Sequence, residues 1–221
     1  MDDLIGIAAV LTARFCPLRL YLDRQEEYEE PPYYAVCKQV SYHLGTPFEA
    51  EAVWDEVCTI LPYAGEDERA LFDQCVARCQ GKEWPLFSDF DVPVTSARHG
   101  IRGTVDKVDP ARPAFVLTRA NEAPQAGVWG ADRIRIACYI ACVAESLGLE
   151  VDGGWVEYVP SGVLRYCVPG PRDRRIMLRA IAAAKKVEEG EVPKKPLNPP
   201  CVRCPHQERC GPGPRRLSDL L

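Results

Sequence analysis

Apolar residues recur at helical spacing through most of the first 80 positions, then give way to short alternating runs. Residues 4–22 read as a helix broken near Pro17, with Cys16 inside it. A helix over 34–44 carries His43 just before Gly45. One over 48–61 sets Val53, Val57 and Ile60 on a single face, and one over 66–80 does the same with Leu71, Cys75 and Cys79. Residues 25–32 between the first two are acidic and close on a proline pair, as a linker does.

Three β-branched, turn-bounded runs follow at 91–95, 101–108 and 114–118, and these read as strands. A helix over 131–147 comes next, then two strands, 154–159 and 163–168, around the turn Pro160-Ser-Gly162. The last helix begins after Gly170, with Pro171 suited to its first turn and Gly190 to its end. This order predicts an α/β fold with a mixed sheet in one domain spanning 1–221. Within it, 1–80 is a mainly helical lead-in, 81–190 the α/β core, and 191–221 a cysteine-bearing loop and tail.

Composition adds two things. A chain of 221 residues, 47% hydrophobic, can bury one good core. No signal-peptide pattern and no apolar run near the ~20 residues of a membrane helix is read in it, and a soluble, cytoplasmic protein is the expectation. The net charge of −5 conceals an asymmetry: residues 151–221 carry 13 Lys+Arg against 8 Asp+Glu, a balance of +5. A basic C-terminal third is compatible with a nucleic-acid face.

Eleven cysteines set the candidate chemistry. Cys201-Val-Arg-Cys204 and Cys210 form a C-x2-C-x5-C loop between two prolines and a Gly-Pro, able to aim three thiolates at one point. Soft metals and iron–sulfur clusters take four such ligands, and Cys16, before Pro17, is the best fourth. An odd cysteine number argues against a disulfide framework. Spacing does not divide zinc from iron. Cys37, Cys58, Cys75, Cys79, Cys138, Cys142 and Cys167 fall in apolar patterns and read as core residues, although Cys75 and Cys79 also have ligand spacing on a helix face.

Gly103-Thr-Val-Asp106 puts an acid late in a strand, after a glycine that permits close approach to the backbone. Together with Cys16-Pro-Leu-Arg-Leu-Tyr, His43-Leu-Gly, Gly127-Val-Trp-Gly-Ala-Asp-Arg-Ile and the terminal cysteines, it resembles the CRISPR-associated RecB-like exonucleases with an iron–sulfur cluster. These are the Cas-four family of the PD-(D/E)xK nuclease superfamily. The resemblance implies a RecB-like nuclease core and a cluster, preferably 4Fe-4S over 2Fe-2S or zinc, on Cys16, Cys201, Cys204 and Cys210. It also implies Mg²⁺- or Mn²⁺-dependent DNA cleavage and work beside the Cas integrase in CRISPR adaptation, with homo-oligomers possible.

His43, Asp106 and Tyr139 match the family's site residues. Leu117 stands where the pattern has its second acid, Arg119 where it has lysine, and Arg135 where it has glutamine, four residues before Tyr139. Leucine cannot bind a hard cation, and arginine repels one. The expectation is therefore a DNA-binding member with its nuclease site lost, Arg119 and Arg135 meeting phosphate. The alternatives are an active exonuclease that recruits Glu122 or Asp109, and a zinc- or cluster-bearing interaction module.

Overall fold

The computed structural model describes residues 4–24, 31–197, 201–208 and 210. A mixed six-stranded sheet forms the centre. Its strands are β1 (Ile5–Gly6), β2 (Asp89–Ser96), β3 (Ile101–Asp109), β4 (Ala114–Arg119), β5 (Gly154–Tyr158) and β6 (Val163–Cys167). The helices are α1 (Ile7–Phe15), α2 (Pro17–Asp23), α3 (Pro32–His43), α4 (Ala50–Ile60), α5 (Glu66–Cys79), α6 (Gly130–Leu147) and α7 (Pro171–Glu188). Among the described residues no helix is long and apolar enough to cross a membrane.

Two apolar clusters flank the sheet. The larger joins α1, α2, α6 and α7 to Ile101, Val105, Phe115, Leu117 and Val156. α7 shows how sequence makes this layer: Met177, Ala180, Ile181, Ala184 and Val187 fall on one stripe and are buried. Asp173 accepts the Gly170 N–H at 3.0 Å and closes the first turn. The smaller cluster packs Val36, Cys37 and Val40 of α3 against Val53, Val57, Phe72, Cys75 and Cys79 of α4 and α5, and against Val159. Cys75 and Cys79 thus serve as core residues, burial raising both thiol pKa values; for Cys75 the largest cause is its contact with Cys37.

β3 is forked. β2 pairs with it antiparallel from Ile101 to Val108, filling one edge. On the other edge β1 pairs in parallel with Ile101 and Arg102, and β4 pairs antiparallel from Lys107 to Asp109. Residues 103–106 lie between these two ladders, where β1 and β4 diverge. Here side chains substitute for a strand: Tyr139 donates its hydroxyl hydrogen to Thr104 O at 2.8 Å, and Thr118 N–H donates to Asp106 Oδ2 at 2.8 Å. Gly103 is required at the fork, since a Cβ there would meet the Tyr139 hydroxyl at 2.8 Å and Ile7 at 2.9 Å. The strand alternation also slips here, for Val105 and Val108 both enter the main core.

Three expectations change. The chain opens on β1 rather than in helix, because its two residues are held by the distant Ile101 and Arg102, a pairing that local periodicity does not reveal. Cys16 is not inside a helix: it is extended (φ −158°) between α1 and α2, as the residue before a proline tends to be. Ile60, at the end of α4, is 55% exposed, and Phe72 rather than the partly buried Leu71 fills the core from α5. The linker expected over 25–32 lies largely outside the described residues; Pro32 begins α3.

Candidate functional site

A cavity of about 390 Å³ opens at the fork and brings together Tyr34, Asp106, Leu117, Arg119, Arg135 and Tyr139. The fork supplies Asp106, β4 supplies Leu117 and Arg119, and one face of α6 supplies Arg135 and Tyr139, four residues apart.

Asp106 is buried and fully engaged. Oδ2 takes the Thr118 N–H, and Oδ1 takes the Tyr34 hydroxyl at 3.0 Å with Lys38 Nζ at 3.5 Å. Burial raises its pKa, while Lys38 and the Thr118 N–H pull it down and Asp91 raises it further. Lys38 reaches Asp91 Oδ1 at 2.6 Å, and Tyr42 donates to the same carboxylate. Burial lowers the Lys38 pKa, but the Asp91 hydrogen bond and the Asp106 charge outweigh it and hold the ammonium above its ordinary value. Asp91 sits in β2 between the Phe90–Lys107 and Val92–Val105 pairs with φ 52°, a conformation that Asp tolerates better than most residues.

Arg119 and Arg135 share one counter-ion, Asp132, which sequence reasoning left without a role. Arg119 Nε lies 3.0 Å from Asp132 Oδ1 but off the N–H direction, so the contact is an ion pair without an aligned hydrogen bond. Arg135 Nη1 approaches the same oxygen at 3.5 Å, and Tyr158 donates its hydroxyl hydrogen to Oδ2 at 2.7 Å. Burial lowers the Arg135 pKa and the neighbouring Arg119 lowers it further, with Asp132 opposing both. Two guanidiniums on one carboxylate leave a positive charge over. The Gly-Ala-Asp-Arg start of α6 was the available sign: an acid in a helix's first turn, one strand away from an arginine.

The other expected residues fall elsewhere. His43 is not brought to this cavity; its Nε2 lies 2.8 Å from Glu56 and its ring beside Phe48. Glu122 faces solvent, and Asp109 is held by Arg112 Nε at 2.7 Å. Among the described residues Asp106 is the one carboxylate lining the cavity. Mg²⁺ and Mn²⁺ want several oxygen ligands and gain little from a single, already bonded carboxylate beside two arginines. The residues do not fit such an ion.

Cys16, Cys201, Cys204 and Cys210 line one adjoining cavity of about 560 Å³, which also contains Arg19, Arg119, Arg135, Lys195 and His206. Residues at opposite ends of the chain therefore meet. As placed, no three described His, Cys, Asp or Glu side chains are grouped tightly enough to hold a metal ion. The donor set nonetheless suits a thiolate-ligated centre, with four soft ligands among the residues lining one cavity and cations that offset thiolate charge. His206 was missed, although it falls within Cys204-Pro-His-Gln-Glu-Arg-Cys210. It is 2% exposed, and its Nε2 lies 2.6 Å from Asp23 Oδ1, pinning the loop to α2.

No family model and no curated protein matches the chain. Among solved structures, the crystal structure of SSO0001 aligns over 91% of this chain and 94% of that one, at TM-score 0.36 and 11% identity. At that similarity neither fold nor family follows.

Proposed function

We propose that the chain is a DNA-binding member of the CRISPR-associated RecB-like exonuclease family whose metal-dependent nuclease site has been lost. One observation carries the reading: Asp106, with both oxygens bonded, shares its cavity with Leu117 and with two arginines that outnumber their carboxylate. A site of that composition favours a phosphate over a hard cation. Arg119 and Arg135, both part-exposed in the cavity wall, are the groups that would meet a DNA phosphate, with the buried Asp132 holding them in place. What supports the RecB-like reading is the order of elements: Asp106 on a strand, Tyr139 on the helix after it, and the cysteines at the end of the chain.

The reading carries an iron–sulfur cluster on Cys16, Cys201, Cys204 and Cys210, which when bound supplies iron–thiolate bonds between the two ends of the chain. Zinc is the second reading for this centre, favoured by His206 as a fifth potential donor in the same cavity. DNA fragments and the Cas integrase are the partners that the resemblance brings with it. Incubation with single- and double-stranded DNA in Mg²⁺ or Mn²⁺ should leave the DNA intact. Robust cleavage abolished by Asp106→Ala would overturn the inactive-site reading.

A further inference from the structure

Apart from the two-residue β1, two strands have a single neighbour in the sheet, β2 and β6. β2 is blocked as an edge, since Pro93 lies within it and Asp91 departs from strand geometry with its φ of 52°. Ser146 of α6 covers it further: its hydroxyl oxygen takes the Thr95 N–H at 2.7 Å and donates to Thr95 O at 2.8 Å. β6 has none of these devices. It reads Val-Leu-Arg-Tyr-Cys, and among the described residues β5 alone gives its backbone hydrogen bonds. Tyr166 packs on Trp155 with ring centres 5.0 Å apart and donates its hydroxyl hydrogen to Asp152, yet it is 46% exposed. Val168, just past the strand, is 53% exposed. α7 begins three residues after Cys167, and its Arg172, Arg174, Arg175 and Arg179 are exposed, with no ion pair among the described residues. The acid beside them, Asp173, is taken by Arg133 and the Gly170 N–H. Five residues of chain span at most about 18 Å, so Arg172 lies near the end of the open edge.

An unpaired edge presents a row of N–H and C=O groups that another extended backbone matches residue by residue. Nucleic acid supplies no such ladder. A second copy of the chain fits poorly: an antiparallel pair about the strand's centre sets Arg165 against its own counterpart, and like charges directly opposite destabilise a pair. The unpaired arginines beside the strand's end call instead for carboxylates. We propose that β6 is a docking edge for an extended, acidic segment of a partner protein. The segment adds a strand beside Val163–Cys167 and lays its carboxylates against Arg172, Arg174, Arg175 and Arg179. None of these residues lines the two cavities described above, so the docking edge is independent of the DNA-binding reading.

The probe is a fluorescein-labelled peptide of alternating threonine and valine flanked by glutamates, added to the full chain up to millimolar concentration. Anisotropy should show binding, and amide hydrogen exchange should slow within Val163–Cys167 when the peptide is added. Lysines in place of the glutamates should weaken binding roughly tenfold, and so should Arg174→Glu with Arg175→Glu, since each reversal turns an attraction into a repulsion. A fully N-methylated peptide, which cannot donate to a ladder, should not bind. Circular dichroism checks the fold of the double variant, whose substitutions are both at exposed positions. Equal binding by the lysine or the methylated peptide overturns the docking edge, as does exchange in Val163–Cys167 that no peptide slows. If the strand is protected without peptide and the protein sediments as a dimer, a second copy holds the edge and no acidic partner does. If the double variant loses duplex DNA affinity but keeps its affinity for the peptide, the arginines serve DNA and the docking edge is overturned.

Discussion

Lys107 sits beside Asp106 in β3 but has partners of its own: it donates to Ser41 O at 2.7 Å and to Glu157 at 3.0 and 3.3 Å. Both members of this ion pair are almost wholly buried. Removing one partner leaves an uncompensated charge, so Lys107→Ala should cost about 3–5 kcal/mol. The apolar pair Lys107→Met with Glu157→Leu should recover most of that loss. Urea unfolding of the single and double variants checks both outcomes, and additive losses would contradict the coupling. Neither residue stood out in the sequence, because a lysine and a glutamate fifty positions apart carry no local mark of pairing. Asp106, Leu117, Arg119, Arg135 and Tyr139 did stand out, and one cavity collects them. What could not be read was that Asp106 is bonded by Tyr34, Thr118 and Lys38, or that Asp132 links the arginines. Those contacts depend on tertiary approach rather than spacing.

Elements were legible where their pattern was local. The amphipathic stripe of α7 and the β5–β6 connection around Gly162 were plain, whereas β1 needed a non-local partner to exist. The β2–β3 turn is likewise set from a distance. Glu145 of α6 accepts the Ser96 hydroxyl at 2.6 Å and the Ala97 and Arg98 N–H groups at 2.7 and 3.3 Å. The Ser96 hydrogen bond is the main cause of its lowered pKa; desolvation opposes it and the two backbone N–H groups add to it. With a folded pKa below the ordinary glutamate value of 4.5, the carboxylate contributes stability above that value, and loses it as pH falls through the folded pKa. Glu145→Gln should therefore be less stable than wild type at neutral pH and close to it in acid. A stability gap that widens on acidification would contradict this account of the turn.

At the scale of the molecule, the C-terminal loop returns to the first two helices. The sequence pointed to this through cysteine spacing, and Cys16, Cys201, Cys204 and Cys210 do meet at one cavity; the His206–Asp23 contact holding the loop there was not legible. If a cluster ties these ends, the purified protein should absorb in the visible with iron and sulfide present, and Cys16→Ser should lose the colour and melt lower. Colourless protein with stoichiometric zinc would select the zinc reading instead. The proposed DNA-binding reading rests on the two arginines and on the basic C-terminal third of the sequence. The most direct measurement is DNA affinity against salt concentration in the presence of a chelator, for wild type and Arg119→Gln. The account predicts binding without divalent ions, a linear logarithmic fall with salt, and a slope shallower in Arg119→Gln by roughly 0.9 on duplex or 0.7 on single strands. Affinity independent of salt, or binding that appears only when Mg²⁺ or Mn²⁺ is restored, would contradict it.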